Sequence, residues 1–409
     1  MACTPTAIEW TLSADLLLEI AARSDFHILI RCAALCKLLR RDILSLFFIR
    51  RVTRHDGIVP PRILAYLLTN DLLKATPPLP PLTLVHPTTP AAVSFSDHLL
   101  SPFLSRNAGD LLRDYYPLPS RGGLVLLRRC RHVSISLPDL CVYDPVTGHR
   151  TFLSEPPGIS DDTTCFRKRV LLTAADGIGC SFMLFVGDLD WSSGCASGVP
   201  RVVKVQTFNS SDCAWGPVVA HEDLTPRRWL EVRFNVVVLH GGIIHWLQRH
   251  DGGKILSYDV RTTEIGTMKL PVIGEQFREN ELQLVSYSSS DGRVLLRLLA
   301  IVGCTISVWH HLARGWALET VIDIEEKLRS LNPGVPHMLH PYIWFGLSTE
   351  RSSVVLLHIG FSCRLVQTSS LPVLLDLETR EMLIRRSAPS STLLEIDLPS
   401  RLRAMKIFS

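Results

Sequence analysis

The sequence has no C-x-x-C pair, although it carries 11 cysteines in 409 residues. Cys3, Cys32, Cys36, Cys130, Cys141, Cys165, Cys180, Cys195, Cys213, Cys304 and Cys363 are scattered and odd in number, which speaks against a zinc ribbon or a disulfide framework and fits small buried thiols kept reduced. It has no dense Lys/Arg block. The 43 basic and 39 acidic residues leave a net charge of +4, too small a surplus to point to nucleic acid. The opening Met1-Ala2-Cys3-Thr4-Pro5 has no basic start followed by an apolar stretch, so no secretory leader is expected. The longest apolar stretch, Val294 to Val302, is broken by Arg297 and falls well short of the roughly 20 residues that a spanning helix needs. These absences lead to the expectation of a soluble cytoplasmic or nuclear protein with no membrane partner. The acceptor-like Asn209-Ser210-Ser211 carries no meaning without a secretory route.

Catalytic patterns are missing as well. His240-Gly241-Gly242 resembles an oxyanion-forming turn, but no Gly-x-Ser-x-Gly elbow accompanies it, so a glycine pair in a tight strand turn is the reading. His310 and His311 would point to opposite faces of a strand, and no cysteine or carboxylate completes a tetrahedral set around them or around His240 and His245. No metal, no other cofactor and no enzymatic activity are expected. Two small basic clusters, Arg128-Arg129-Cys130-Arg131-His132 and Arg50-Arg51-Val52-Thr53-Arg54, read as solvated surface or as a contact with an acidic partner.

What is present divides in two. Hydrophobic residues make up 46% of the chain, enough for a sizeable core, and the length suits a small domain followed by a large one. Near the amino end, Ser13 can cap a helix with Asp15 in its first turn, and Leu16, Leu17 and Ile20 recur at helical spacing. A second helix is expected after Asp25 and a third through Leu38, Leu39 and Ile43. The leucines outnumber the positions that so small a module can bury, which suggests that some face another protein. A further helix is expected after Pro60-Pro61, carrying Ile63, Leu64, Leu67 and Leu68. The prolines from Pro77 to Pro90 then read as a stiff connector.

From about residue 120 the period becomes strand-like. Leu124–Leu127, Phe182–Val186, Val236–Leu239, Val294–Leu296 and Val354–Leu357 are short apolar runs separated by turn-formers such as Asp176-Gly177, Asp251-Gly252-Gly253 and Asp291-Gly292. A degenerate hairpin, a strand followed by a turn opened by aspartate, recurs at Asp144, Asp259 and Asp376. Hairpins at such intervals are the mark of propeller blades, about six of them at ~40–50 residues each. The expected fold is an α+β multidomain chain, a small all-α helical module followed by a large all-β, β-propeller-like domain, with a β-sandwich as the alternative. The expected boundaries are 8–54 for the helical module, 55–76 for a helical extension, 77–119 for a proline-rich linker and entry segment, and 120–409 for the β-domain. Tryptophans from Trp191 to Trp344 are expected to wedge between blades, with one or two at loop tips.

With these residues in view, the segment from about residue 10 to 52 resembles an F-box: Leu12, Asp15-Leu16-Leu17, Glu19-Ile20, Leu29-Ile30-Arg31-Cys32, and Leu35-Cys36-Lys37 with Arg40. It departs from that pattern at Ser13 in place of proline, Ser24 in place of leucine and Leu38 in place of tryptophan. The phrase His240-Gly241-Gly242-Ile243-Ile244-His245-Trp246-Leu247, followed by Ile255 to Asp259, is similar to a blade of the plant F-box proteins whose carboxy-terminal half is a kelch-like or F-box-associated β-domain. The resemblance implies a substrate-receptor subunit of a Skp-cullin-F-box ubiquitin ligase, without bond chemistry of its own. The F-box would bind a Skp-type adaptor, and through it cullin and RING subunits. The β-domain would hold an unidentified target protein. The residues implied at the adaptor interface are Leu12, Leu16, Leu17, Ile20, Leu29, Leu35, Cys36 and Leu39, some of which would instead fill the module's own core. A non-ligase interaction scaffold with a degenerate F-box, and a propeller hydrolase, are the alternatives.

Overall fold

A computed structural model describes residues 13–23, 37–43, 45, 47–48, 51, 62–68, 82–84, 101–130, 137–159, 167–188, 202–222, 236–248, 254–271, 277, 281–288, 294–331, 341–348, 353–363, 366–367, 371–384 and 391–397. Five antiparallel sheets follow one another along the chain, each built from consecutive strands. The first blade holds β3 (Tyr115–Arg121), β4 (Leu124–Arg129), β5 (Leu140–Tyr143) and β6 (Arg150–Leu153). The second holds β7 (Arg167–Thr173), β8 (Phe182–Asp188) and β9 (Val202–Asn209), with β10 (Ala214–Trp215) and β11 (Val219–Glu222) sharing the outer edge of β9. The third holds β12 (Val236–Leu239), β13 (Ile243–Gln248), β14 (Lys254–Asp259) and β15 (Ile265–Lys269). The fourth holds β16 (Leu282–Ser288), β17 (Val294–Val302), β18 (Thr305–Leu312) and β19 (Gly315–Asp323). The fifth holds β20 (Pro341–Ser348), β21 (Val354–Cys363), β23 (Leu371–Asp376) and β24 (Met382–Ile384), with β22 (Val366–Gln367) as a side branch on β21. First strands of neighbouring blades lie against one another, β3 on β7, β12 on β16 and β16 on β20, which places them on the inner side. The architecture is a five-bladed, propeller-like β-domain preceded by a modest helical content. It has one blade fewer than the repeat length predicts, because each blade with its connections takes more chain than the minimal repeat.

The aspartate hairpins do the same work in three blades. Asp144 Oδ1 accepts from the amide of Val146 at 3.0 Å, Asp259 Oδ1 from Arg261 at 2.8 Å, and Asp376 Oδ1 from Glu378 at 2.8 Å. Three residues after each aspartate, Thr147, Thr262 and Thr379 accept through their hydroxyls from His149, Glu264 and Glu381. Such side-chain-to-backbone bonds satisfy turn amides that the ladder cannot reach. In the second blade Asn209 takes the aspartate's place, with Oδ1 accepting from Ser211 at 2.9 Å. The acceptor-like tripeptide is thus the turn of a fourth copy.

Apolar clusters fill the seams between blades. Leu126, Val142, Leu171 and Leu184 join the first and second blades, and Leu172, Phe185, Ile244 and Tyr258 join the second and third. Ile255, Leu284 and Leu298 join the third and fourth, and Leu299, Ile306, Leu357 and Leu375 the fourth and fifth. Trp246, Trp309, Trp316 and Trp215 pack at these seams, whereas Trp191 and Trp229 lie outside the described residues.

A sixth sheet departs from the sequence reading. The segment expected as a helix within 55–76 forms β1 (Arg62–Leu68), which pairs antiparallel along its whole length with β25 (Ser391–Asp397). An unbroken run of apolar residues fits either period, and pairing with a distant strand decides it. The expected connector 77–119 also contains structure. β2 (Leu82–Leu84) pairs with β1, and a helix over Ser101–Asp114 buries Leu104, Ala108, Leu111 and Leu112. These four lie at helical spacing, which gives the segment a buried face that a linker would not have. The resulting three-stranded sheet, β2-β1-β25, joins the two ends of the β-domain, and β25 lies against β3.

The amino-terminal helices pack here too. α1 spans Ala14–Arg23, α2 spans Lys37–Ile43, and the helix over Ser101–Asp114 is labelled α3. The backbone amide of Leu16 donates to Ser13 Oγ at 3.3 Å, so serine caps α1. Ala21, Ile43 and Phe48 lie in one buried cluster with Ala65 and Leu67 of β1, Leu394 and Ile396 of β25, and Leu104 and Ala108 of α3. The second helix expected after Asp25 lies outside the described residues. No helix among the described residues is long and apolar enough to cross a membrane.

Candidate docking surface

α1 has two apolar sides. On an ideal helix Leu18, Ala21 and Ala22 share one side, and these residues pack into the buried cluster. Leu16 and Ile20, one turn apart, lie on the opposite side and are 54% and 52% exposed. Phe47 is 79% exposed while its neighbour Phe48 is buried in the cluster. Three large apolar side chains are thus presented to solvent by elements whose other faces are anchored.

A polar network holds this region. Glu19 bonds Arg23 at 3.0 Å along α1 and Arg51 at 2.5 Å, tying the helix to the segment after Phe48. The hydrogen bond from Arg51, with the charges of both arginines, holds the Glu19 carboxyl below its ordinary value. Both arginines are solvent-exposed and Glu19 is only half-buried, so this network orients the surface more than it stabilises the fold.

Of the residues implied at an adaptor interface, Leu16 and Ile20 are exposed and Leu17 is half-buried. Leu39 is half-buried against the protein's own cluster. Leu12, Leu29, Leu35 and Cys36 lie outside the described residues. Phe47 is not among the residues that the resemblance implies at the interface. Only helical phase separates it from Phe48, and sequence alone does not fix that phase.

The remaining candidates resolve into structural roles. Gly241 and Gly242 have φ of +94° and +84°, left-handed values that make the tight turn between β12 and β13. His310 Nδ1 lies 3.7 Å from Glu319, whereas His311 meets the Trp316 ring edge-on at 5.1 Å, so the pair does point to opposite faces. Among the described residues no group of three His, Cys, Asp or Glu is placed to hold a metal ion. In the basic cluster, Arg131 and His132 lie outside the described residues, and Arg128 and Arg129 are less solvated than expected. Arg129 bonds Asp139 at 2.7 Å, and Arg128 and Arg169 converge on Glu155 at 3.4 and 2.9 Å. Arg50 and Arg54 lie outside the described residues.

Two buried polar sites escaped the sequence reading. Arg121 and Asp176, 4% and 1% exposed, form a two-pronged ion pair at 2.6 and 2.8 Å. Arg121 also donates to the carbonyl of Val238, and the amide of Gly241 donates to the carbonyl of Asp176. The pair therefore latches three blades together. His245 is buried on β13, with its Nδ1 bonded to no partner among the described residues. Burial pulls its imidazole down to about 4, a hydrogen bond with the Ile243 backbone opposes this, and His311 adds a smaller lowering effect.

Comparison with known proteins bears on the β-domain. A family model described as "Domain of unknown function (DUF7595)" matches residues 86–408, and no curated protein matches the sequence. A structure from a study of two prolyl endopeptidases is similar at 14% identity and a TM-score of 0.31, covering 64% of this chain and 32% of that one. Prolyl oligopeptidase B from Galerina marginata is similar at 11% identity and a TM-score of 0.31, over 66% of this chain and 33% of that one. AofleA from Arthrobotrys oligospora is similar at 10% identity and a TM-score of 0.30, over 64% and 67%. The match thus spans about a third of the length of either peptidase.

Proposed function

The chain belongs to the DUF7595 family, and we propose that it is a non-catalytic adaptor that docks to a ubiquitin-ligase scaffold through its amino-terminal helices and captures a target protein on its β-domain. In detail, it is the substrate receptor of a Skp-cullin-F-box ligase. A Skp-type adaptor covers the outer face of α1 and links the chain to cullin and RING subunits. The family match begins at residue 86, so this reading rests on the residues before it. The observation that carries it is the exposure of Leu16 and Ile20 on a helix whose opposite side is already buried. An apolar patch on an anchored element loses little conformational entropy on docking, and each fully buried leucine contributes roughly 1.5–3 kcal/mol. The kelch-like character expected of the blades, and the resemblance to plant F-box proteins, belong to the same proposal.

A second reading, a protein-interaction scaffold without ligase partners, draws support from Ser13 and Leu38, which stand where the F-box pattern has proline and tryptophan. Co-purification separates the two. The full chain is expected to retain a Skp-type adaptor, and Leu16→Asp with Ile20→Asp to lose it, with stability changed by no more than about 0.5 kcal/mol because both positions are exposed. An adaptor absent from the wild-type preparation, or retained undiminished by the double variant, overturns the ligase reading.

A further inference from the structure

We infer that the amino-terminal helices act as a clasp on the sheet that joins the two ends of the β-domain, so that a protein docked on the outer face of α1 tightens that joint. Only the docking half of this inference rests on the function proposed above.

The joining sheet is small and topologically expensive. β2 has three residues, and β1 and β25 have seven each, drawn from opposite ends of the chain. Bringing such distant segments together costs loop-closure entropy that neighbouring strands of a blade largely avoid. A sheet of this size needs an apolar layer against one face. Ala65, Leu67, Leu394 and Ile396 supply that face, all fully buried, and the layer against them includes Ala21, Ile43 and Phe48 from the amino-terminal helices. The same cluster continues into α3 and into Val125, Leu127, Cys141 and Tyr143 of the first blade. Loosening α1 and α2 therefore uncovers the one sheet that ties residues 62–68 to residues 391–397.

The two sides of α1 make the coupling reciprocal. Leu16 and Ile20 face outward from the helix that carries Ala21 inward. A partner that binds only the ordered helix stabilises every state in which the helix is ordered, and with it the joint beneath. The limit is set by linkage: at a concentration 100 times the dissociation constant, opening is suppressed by up to about 100-fold.

Hydrogen exchange on the full chain tests this. Phe48→Asp puts a charge into the shared cluster, and Ile43→Ala is a milder lesion should the first variant fail to fold. Either is expected to speed exchange at least tenfold in 62–68 and 391–397 while the strands of the third and fourth blades keep wild-type rates. Unchanged rates in the joining strands, or an equal acceleration in every blade, overturn the clasp. A purified Skp-type adaptor is then added to the wild-type chain. Slower exchange in 62–68 and 391–397 supports the coupling, and binding without added protection there overturns it. If the adaptor does not bind, the docking half falls together with the ligase reading, while the variants still decide whether the helices are a clasp.

Discussion

Each of the five blades is made from one continuous stretch of chain, whereas the joining sheet takes β1 and β2 from one end and β25 from the other. The blades carry their own instructions: apolar strands, a turn that supplies its own hydrogen bonds, and seams filled by the next blade in sequence. The joining sheet carries none that can be read locally, and it borrows its apolar layer from helices that sequence patterning assigns to a separate module. The contrast teaches that a repeat can be legible while the contact that completes it is not. It also places the amino-terminal helices inside the architecture of the β-domain, where sequence patterning predicts a tethered module.

The contrast can be broken inside the blades first. Arg121→Met leaves Asp176 buried without its cation, and loss of one partner of a buried pair costs about 3–5 kcal/mol. Chemical denaturation is expected to show that loss, and Arg121→Met combined with Asp176→Asn, which removes the charge while keeping an oxygen for the Thr173 amide, to recover part of it. If the single variant matches wild type, the latch between the first three blades contributes nothing.

The seam between the third and fourth blades gives the next effect, through acid. The imidazole of His245 titrates near 4 when folded and near its ordinary 6.5 when unfolded. Between those values the unfolded chain binds the extra proton, so its contribution is complete above about pH 6.5 and is lost as pH falls toward 4. The shift corresponds to roughly 3–4 kcal/mol at most. Thermal denaturation from pH 7 to pH 4 is expected to show a shallower decline for His245→Phe than for wild type. Identical slopes would remove His245 from the acid response.

The smallest effect sharpens the claim that the turns are local devices. Asp259→Ala removes bonds to the amides of Arg261 and Thr262 and is expected to cost about 1 kcal/mol. Hydrogen exchange should locate the change in β14 and β15 and leave the joining sheet alone. A change that spreads to 62–68 would mean that the blades are not independent of the joint.

Much of the blade pattern is legible because its signals are short-range. The five apolar runs at 124, 182, 236, 294 and 354 all fall in blade strands, and the three aspartate turns are where their spacing puts them. The copy at Asn209 is hidden because asparagine stands for aspartate and Asp212 occupies the threonine position. β1 reads as a helix because Ile63, Leu64, Leu67 and Leu68 fit a helix as well as a strand, and only β25 settles the matter. α3 escapes notice although Leu104, Ala108, Leu111 and Leu112 carry the helical period, because the prolines before it set the reading for the whole stretch. At the candidate docking surface, the surplus of leucines is legible. Which of them face outward is not, since that depends on what lies beneath α1: Leu16 and Ile20 point away from the cluster, while Leu39 packs into it.

A chain beginning at residue 86, where the family match begins, would keep all five blades and β25 but lose α1, α2, β1 and β2. Its thermal unfolding should be compared with that of the full chain. If the amino-terminal segment is part of the β-domain, the shortened chain exposes Leu394 and Ile396 and melts far lower, or fails to fold cooperatively. Unfolding in one transition at the full-length temperature would instead make that segment a dispensable appendage and contradict its place in the β-domain.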